Sequence, residues 1–299
     1  MKLADVNLDR CETVDHGYNA TICLVEDDDQ RFIVKEYDNT ATLKKETAVL
    51  NHLTSKSDTL AVITPSVLDQ DLATNTVLLS HIPGSPPATP YGDDTWRQYA
   101  QGKKAISKTT FEAYGDIDKT VNVVERYDSA QAYYDDEMHK FIEAIEENQT
   151  VNHELLTAIK DAWTTTKQFL QYDKGPVLIQ GDPSLDNYLY QDNTLQGIVD
   201  FEHSRAGNIL EDIYQTRDEF QARLDNLDMF TTILLDETPQ QKHKELARTY
   251  YFIAQVRMLY LVPRMSWEEH VDQATRKKNI VNKAKREITM TLSHLNNIL

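Results

Sequence analysis

The N-terminal quarter of the chain switches between two hydrophobic periods. Thr21–Val25 and Arg31–Glu36 are short apolar or β-branched runs on either side of the acidic segment Glu26–Gln30, which predicts an antiparallel hairpin. The period then lengthens, and Thr42–Leu53 reads as a helix with Thr40 or Thr42 as its N-cap. Two more strand-like runs lie near Ser66–Asp69 and Thr76–Ser80, and His81-Ile82-Pro83-Gly84-Ser85-Pro86-Pro87 ends regular structure. That break divides the chain into a β-rich segment, residues 1–82, and a longer remainder, residues 83–299.

Beyond the break the pattern is helical over Ser129–Asn148, Asn152–Tyr172, Ile209–Leu224, Gln240–Val262 and Trp267–Asn297. Within Gln240–Val262, the spacing of Leu246, Tyr250, Ile253 and Tyr260 predicts a core-facing stripe. One region interrupts the helices. Pro176–Gln180, Tyr188–Tyr190 and Leu195–Val199 read as three short strands, the last two joined around Asp192-Asn193. The expected architecture is α+β, with two lobes: a small β-rich N-lobe and a larger, mainly helical C-lobe carrying a small inserted β patch.

Composition adds limits. A hydrophobic fraction of 40% and a charged fraction of 26% are those of a chain that folds. The 48 acidic and 31 basic residues leave a net charge of −17. That field repels phosphate backbones and anionic headgroups, so neither nucleic acid nor membrane is an expected partner, and a cationic small molecule is favoured. The most apolar long stretch, Tyr250–Val262, is interrupted by Gln255 and Arg257 and is shorter than the ~20 residues of a membrane span. The opening segment lacks the apolar core of a signal peptide, and the cytoplasm is the expected location. Cys11 and Cys23 form neither a disulfide framework nor a zinc motif.

The candidate chemistry sits in the loops of the β patch. Gln180-Gly181-Asp182-Pro183-Ser184-Leu185-Asp186-Asn187 leaves one strand and enters the next, and Asp200 closes the strand after that in Ile198-Val199-Asp200-Phe201-Glu202. Adjacent strands bring Asn187 and Asp200 side by side, with Asp182 at the mouth of the same patch. Mg²⁺ takes hard oxygen ligands, which Asp200 and Asn187 supply together with nucleotide phosphates. A carboxylate left free of the metal, Asp182, orients an acceptor hydroxyl and takes its proton.

The pattern resembles the aminoglycoside phosphotransferase/choline kinase family, protein-kinase-like enzymes that phosphorylate small molecules. The family's catalytic loop reads His-Gly-Asp with Asn after four further residues, and its metal loop begins Asp-Phe or Asp-Trp. Here the counterparts are Gly181-Asp182 with Asn187, and Asp200-Phe201-Glu202; Gln180 stands where the family usually has His. Gly207-Asn208-Ile209-Leu210-Glu211-Asp212-Ile213 resembles a further family motif in which Asp212 anchors the loop. The resemblance spans residues 12 to 215. It implies a bilobal kinase fold, ATP and Mg²⁺ as cofactors, Asp182 as the catalytic base, and Asn187 and Asp200 as metal ligands.

It also gives roles to N-terminal residues. Lys35, in the apolar strand Arg31–Glu36, is expected to grip the ATP phosphates. Glu46 shares a helix face with Leu43, Leu50 and Leu53, where a carboxylate is costly unless paired, and Lys35 is its obvious partner. Gly17 and Asn19 fall in a loosely matching phosphate-covering loop, and Ser80 and Ile82 in an inter-lobe hinge whose backbone would meet adenine. The implied activity is transfer of the γ-phosphate of ATP to a hydroxyl of an amino alcohol, aminoglycoside or sugar-like acceptor. The alternatives are a catalytically weak or inactive pseudokinase and a metal-dependent hydrolase built on Asp182, Asp186 and Asp200.

Overall fold

A computed structural model describes residues 2–6, 11–16, 20–27, 30–56, 63–89, 91–172, 174–215, 220–262 and 273–296. The N-terminal region is a five-stranded antiparallel sheet: β1 (Glu12–His16), β2 (Ala20–Asp27), β3 (Gln30–Tyr37), β4 (Val67–Asp71) and β5 (Thr76–Ser80), in the order β1-β2-β3-β5-β4. β2 and β3 form the expected hairpin, with Ile22 opposite Lys35. β1 was not expected, because its residues Glu12–His16 carry no apolar alternation.

Helix α1 (Thr40–Thr54) crosses this sheet. Its N-cap is Asn39, whose side chain accepts the Thr42 N–H at 2.9 Å, rather than Thr40 or Thr42. Leu43, Val49, Leu50 and Leu53 bury one face of α1 in a core shared with Val77 and Leu79, and Glu46 lies on the same face at 2% exposure.

The C-terminal region is mainly helical: α2 (Asp93–Ile106), α3 (Ala130–Glu147), α4 (His153–Thr166), α5 (Glu211–Tyr214), α6 (Phe220–Asp225), α7 (Leu227–Leu235), α8 (Gln241–Leu261) and α9 (Gln273–Asn296). In α8 the predicted stripe is buried at Leu246, Tyr250 and Ile253, while Tyr260 is partly buried against Phe141, with ring centroids 4.9 Å apart. The predicted helix Ile209–Leu224 is instead two short helices, α5 and α6. No helix among the described residues is long and apolar enough to cross a membrane.

The inserted β patch is two sheets. β8 (Tyr188–Gln191) and β9 (Thr194–Ile198) form one hairpin, whereas β7 (Val177–Ile179) pairs with β10 (Arg205–Gly207), which pairs in turn with β6 (Gly115–Asp116). The catalytic-loop candidate runs from β7 to β8 and so bridges the two sheets.

The segments before β4 and after β5 are stitched to this region. Ser85 and Tyr190 exchange backbone hydrogen bonds at 3.0 and 2.8 Å, and the Ile198 N–H donates to the Ile63 carbonyl at 3.0 Å. Gly84 makes the first contact possible: its φ is +118°, and a Cβ there would meet the Tyr190 carbonyl oxygen at 2.7 Å.

Candidate active site

Lys35 joins the two regions. Its ammonium donates to Glu46 of α1 at 2.9 Å and to Asp200, beyond β9, at 2.8 Å, and it lies 3.4 Å from Glu202. Burial alone would lower its pKa, but Glu46, Asp200 and Glu202 outweigh burial and raise it well above the ordinary lysine value. Glu46 is held by more than the lysine. The Tyr37 hydroxyl donates to the same carboxylate oxygen, and the other oxygen accepts the Phe201 N–H at 3.0 Å. Against the opposing effect of burial, Lys35 and these hydrogen bonds keep Glu46 below the usual carboxylate range.

Asp200 has a left-handed backbone, φ +64°, uncommon for a residue with a side chain and typical of positions fixed by their surroundings. Its side chain is 29% exposed, yet dense protein on its other sides makes burial the leading cause that pushes its pKa up to about 7, with Glu46 and Glu202 adding to the push and Lys35 opposing it. Carboxylate oxygens of Glu46, Asp200 and Glu202 all lie within 4.8 Å of one another, a concentration of negative charge that Lys35 only partly neutralises.

Gln180 ties the candidate loops together. Its carboxamide nitrogen donates to the Val199 carbonyl at 2.6 Å and to the Asp200 carbonyl at 3.1 Å, while its oxygen accepts from Lys103 at 2.8 Å. A residue that both donates and accepts is what the position demands, and glutamine meets that demand where the family usually has histidine.

Asp212 holds the same loop from below: its carboxylate accepts the Gln180 N–H at 2.9 Å, the Gly181 N–H at 2.8 Å and the Lys103 ammonium at 2.9 Å. Asp182 follows directly, partly exposed, with one oxygen accepting the Ser184 N–H at 3.0 Å. Asn187 lies beside the segment bearing Asp200, its main-chain carbonyl oxygen accepting the Val199 N–H at 2.9 Å. Asp182, Asn187 and Asp200 are thus gathered around one buried glutamine.

Of the hinge candidates, the Ser80 N–H already donates to the Ser66 carbonyl at 3.0 Å, and its hydroxyl accepts the Ser66 N–H at 2.8 Å. The Ile82 peptide makes no backbone hydrogen bond among the described residues, which leaves its polar groups available. Gly17 and Asn19 lie outside the described residues.

Sequence reasoning missed Lys103 and Tyr37. Lys103 had a readable signal, since Trp96, Tyr99, Ala100 and Lys103 fall on one helical face, and α2 buries all four. The hydroxyl of Tyr37 carried none.

Two changes follow from this geometry. The expected role of Lys35 as the grip on the nucleotide phosphates predicts that Lys35→Met lowers kcat/KM for ATP roughly ten- to a hundredfold, measured by steady-state kinetics. Gly181 has φ +81°, and a Cβ would meet the His203 carbonyl oxygen at 2.1 Å. Gly181→Ala should therefore cost at least about 1–3 kcal/mol, read as a lower melting temperature, and should shift the catalytic loop.

Comparison with known families identifies the family of the chain. The sequence profile of the phosphotransferase enzyme family (APH) matches residues 10–229 of the 299, and the chain belongs to that family of phosphotransferases. None of the curated proteins matches.

Among solved structures, an apo thermostable mutant of aminoglycoside phosphotransferase APH(4)-Ia superposes with a TM-score of 0.68 at 11% identity, covering 95% of this chain and 94% of that one. The GDP complex of aminoglycoside 2'-phosphotransferase-IIIa gives 0.65 at 14% identity, covering 95% of each chain. A ternary complex of an APH(4)-Ia mutant with AMP-PNP and hygromycin B gives 0.67 at 11% identity, covering 95% and 93%. These likenesses show that the fold is the kinase-like fold of those enzymes.

Proposed function

We propose that the chain transfers the γ-phosphoryl group of ATP to a hydroxyl of a small molecule, with Asp182 as the catalytic base. The observation that carries this reading is the Lys35 ammonium, bonded at once to Glu46 and to Asp200, whose backbone Gln180 ties to the loop bearing Asp182. Family membership supplies the reaction class, and the similar enzyme holding AMP-PNP and hygromycin B supports a nucleotide donor and a small-molecule acceptor.

In this reading residues 1–82 are the nucleotide-binding lobe and residues 83–299 the catalytic and substrate-binding lobe. The Ile82 backbone, with the carbonyl of Ser80, meets adenine, the loop around Gly17 and Asn19 covers the phosphates, and Lys35 grips them with Glu46 behind it. Use of ATP supports a cytoplasmic location.

The donor set fits Mg²⁺. Asp200 and Asn187 offer hard oxygens, and Glu202 adds a third oxygen within reach of Asp200. When bound there, Mg²⁺ neutralises charge on the phosphate oxygens. Asp182 orients the acceptor hydroxyl and takes its proton as the oxygen bonds to the γ-phosphorus and the bond to the β–γ bridging oxygen breaks. Lys35 holds the donor in line. Retention of Lys35, Glu46, Asp182, Asn187 and Asp200 in one connected site argues against the inactive alternative.

The test is ADP release from ATP and Mg²⁺ across a panel of alcohols, amino alcohols, sugars and aminoglycosides. Acceptor-stimulated release is expected for at least one class. Nucleotide binding without turnover on the whole panel would favour the pseudokinase.

A further inference from the structure

Basic side chains line the wall beyond Asp182. A Cβ on Gly181 would lie 3.2 Å from the Cβ of His203, so His203 packs directly against the loop that presents Asp182. Two residues on, Arg205 enters β10 opposite Ile179, on the strand that delivers Asp182. The Arg205 side chain is buried: it pairs with Glu211, donates to the Tyr134 hydroxyl at 3.3 Å and lies 5.7 Å from the ring centroid of Tyr133.

A second guanidinium reaches the same place from α8. The rings of Tyr134 and Tyr250 are 5.8 Å apart, and Arg257 lies two turns beyond Tyr250 on the same face of α8. Long helical side chains lean back toward the helix N-terminus, which directs Arg257 toward Tyr134 and Arg205. The electrostatics agree: Arg257 feels Arg205, Tyr133, Tyr134 and Glu137, and His203 feels Glu202, Arg257 and Asp182.

Arg205 has an anionic partner in contact, whereas among the described residues Arg257 has none within ion-pair distance, Glu137 acting on it only from farther away. Among the described residues Arg257 makes no hydrogen bond or ion pair, although it is only partly exposed. The carboxylates nearest this cluster are engaged, Glu211 by Arg205 and Glu137 by Lys140 at 3.2 Å. Burial, with Arg205 adding to it, pulls the Arg257 pKa below the ordinary arginine value. A guanidinium so placed, next to a like charge, is costly unless an anion completes it.

We infer that the phosphate acceptor carries an anionic group, a carboxylate or a phosphate, which Arg257 binds while the acceptor hydroxyl faces Asp182. This inference rests on the phosphotransfer reading and adds the acceptor's charge to it. Guanidinium suits both anions, because its planar fork offers two parallel donors. The net charge of −17 points to a cationic acceptor only when averaged over the surface, and Arg257 is a local exception to that average.

Four probes on one propanediol frame test the inference: glycerate, glycerol 3-phosphate, glycerol and 3-amino-1,2-propanediol. Binding is measured by calorimetry with the enzyme saturated with AMP-PNP and Mg²⁺, and ADP release is measured with ATP. Wild type should bind one or both anionic probes at least about tenfold more tightly than the neutral and amine probes; the two anionic arms separate carboxylate from phosphate recognition. Arg257→Ala should raise Kd and KM for the anionic probe about tenfold or more, with a smaller change in kcat, and Arg257→Lys should restore part of the loss.

A melting curve for each variant separates this outcome from unfolding, and the wild-type order of the four probes stands without any variant. Tighter binding of the amine or neutral probe, or an Arg257→Ala protein that binds anions as wild type does, overturns the inference and leaves the kinase reading intact. Failure of the folded wild type to bind AMP-PNP overturns both.

Discussion

Asp182→Asn should lower kcat by about 10²–10⁴-fold while leaving nucleotide affinity nearly unchanged. The substitution keeps the side chain's size and its oxygen acceptor, so the contact with the Ser184 N–H at 3.0 Å survives and the loop stays in place. In the proposed mechanism, what it removes is the capacity to take a proton and the charge that orients the acceptor hydroxyl. None of the contacts that hold Lys35, Glu46 or Asp200 passes through Asp182, so those groups stay as they are.

The checks are single-turnover kinetics for kcat and calorimetry with AMP-PNP for affinity. An Asp182→Asn protein with full turnover would remove the base from the mechanism. One with normal kcat but weak AMP-PNP binding would move Asp182 to the nucleotide site. Residual turnover is expected, since positioning and charge neutralisation contribute independently of the base.

The parts of this site that were legible in the sequence share a physical signature. Glu46 announced itself as a carboxylate on an apolar helical face, a placement that demands a cation, and Lys35 was a lysine inside an apolar strand. Asp182, Asn187 and Asp200 were legible through spacing, because β8 and β9 pair across a tight turn at Asp192-Asn193, and the separation of Asn187 from Asp200 follows from that hairpin.

The illegible parts depend on contacts distant in sequence. β10 is three residues long, Arg205-Ala206-Gly207, and exists because β6 and β7 flank it. No local pattern separates β7 from the β8–β9 hairpin, so one patch was expected where two sheets form. Helix α2 was hidden by its polar face, Asp93, Asp94, Arg97, Gln98 and Gln101, although its buried face reads with the same logic as α1. Arg257 stood in plain view as an interruption of an apolar helix; its significance appears only when Tyr133, Tyr134 and Arg205 are set beside it.

Lys103 governs the largest expected effect on stability. Its side chain is fully buried and bonded to Asp212 at 2.9 Å and to Gln180 at 2.8 Å, with the Tyr99 and Tyr188 ring centroids 5.6 and 5.5 Å away. Burial pulls the lysine pKa down, and the Asp212 carboxylate opposes that pull, so the ammonium depends on its partner. Lys103→Met fills the space between the two rings but leaves the Asp212 charge buried with only two backbone N–H donors, at a cost of about 3–5 kcal/mol. Asp212→Asn alone strands the lysine and should cost a similar amount.

The double variant removes both charges and should recover more than about 1 kcal/mol relative to the sum of the singles, measured by denaturant unfolding in a double-mutant cycle. Activity should not follow stability. Because Asp212 also receives the Gln180 and Gly181 N–H groups, the double variant is expected to regain stability yet remain slow, its loop held by a neutral amide that can accept through one oxygen only. Additive losses in the cycle would mean that Lys103 and Asp212 act separately. Full recovery of kcat would mean that the loop carrying Asp182 does not depend on the anchor beneath it.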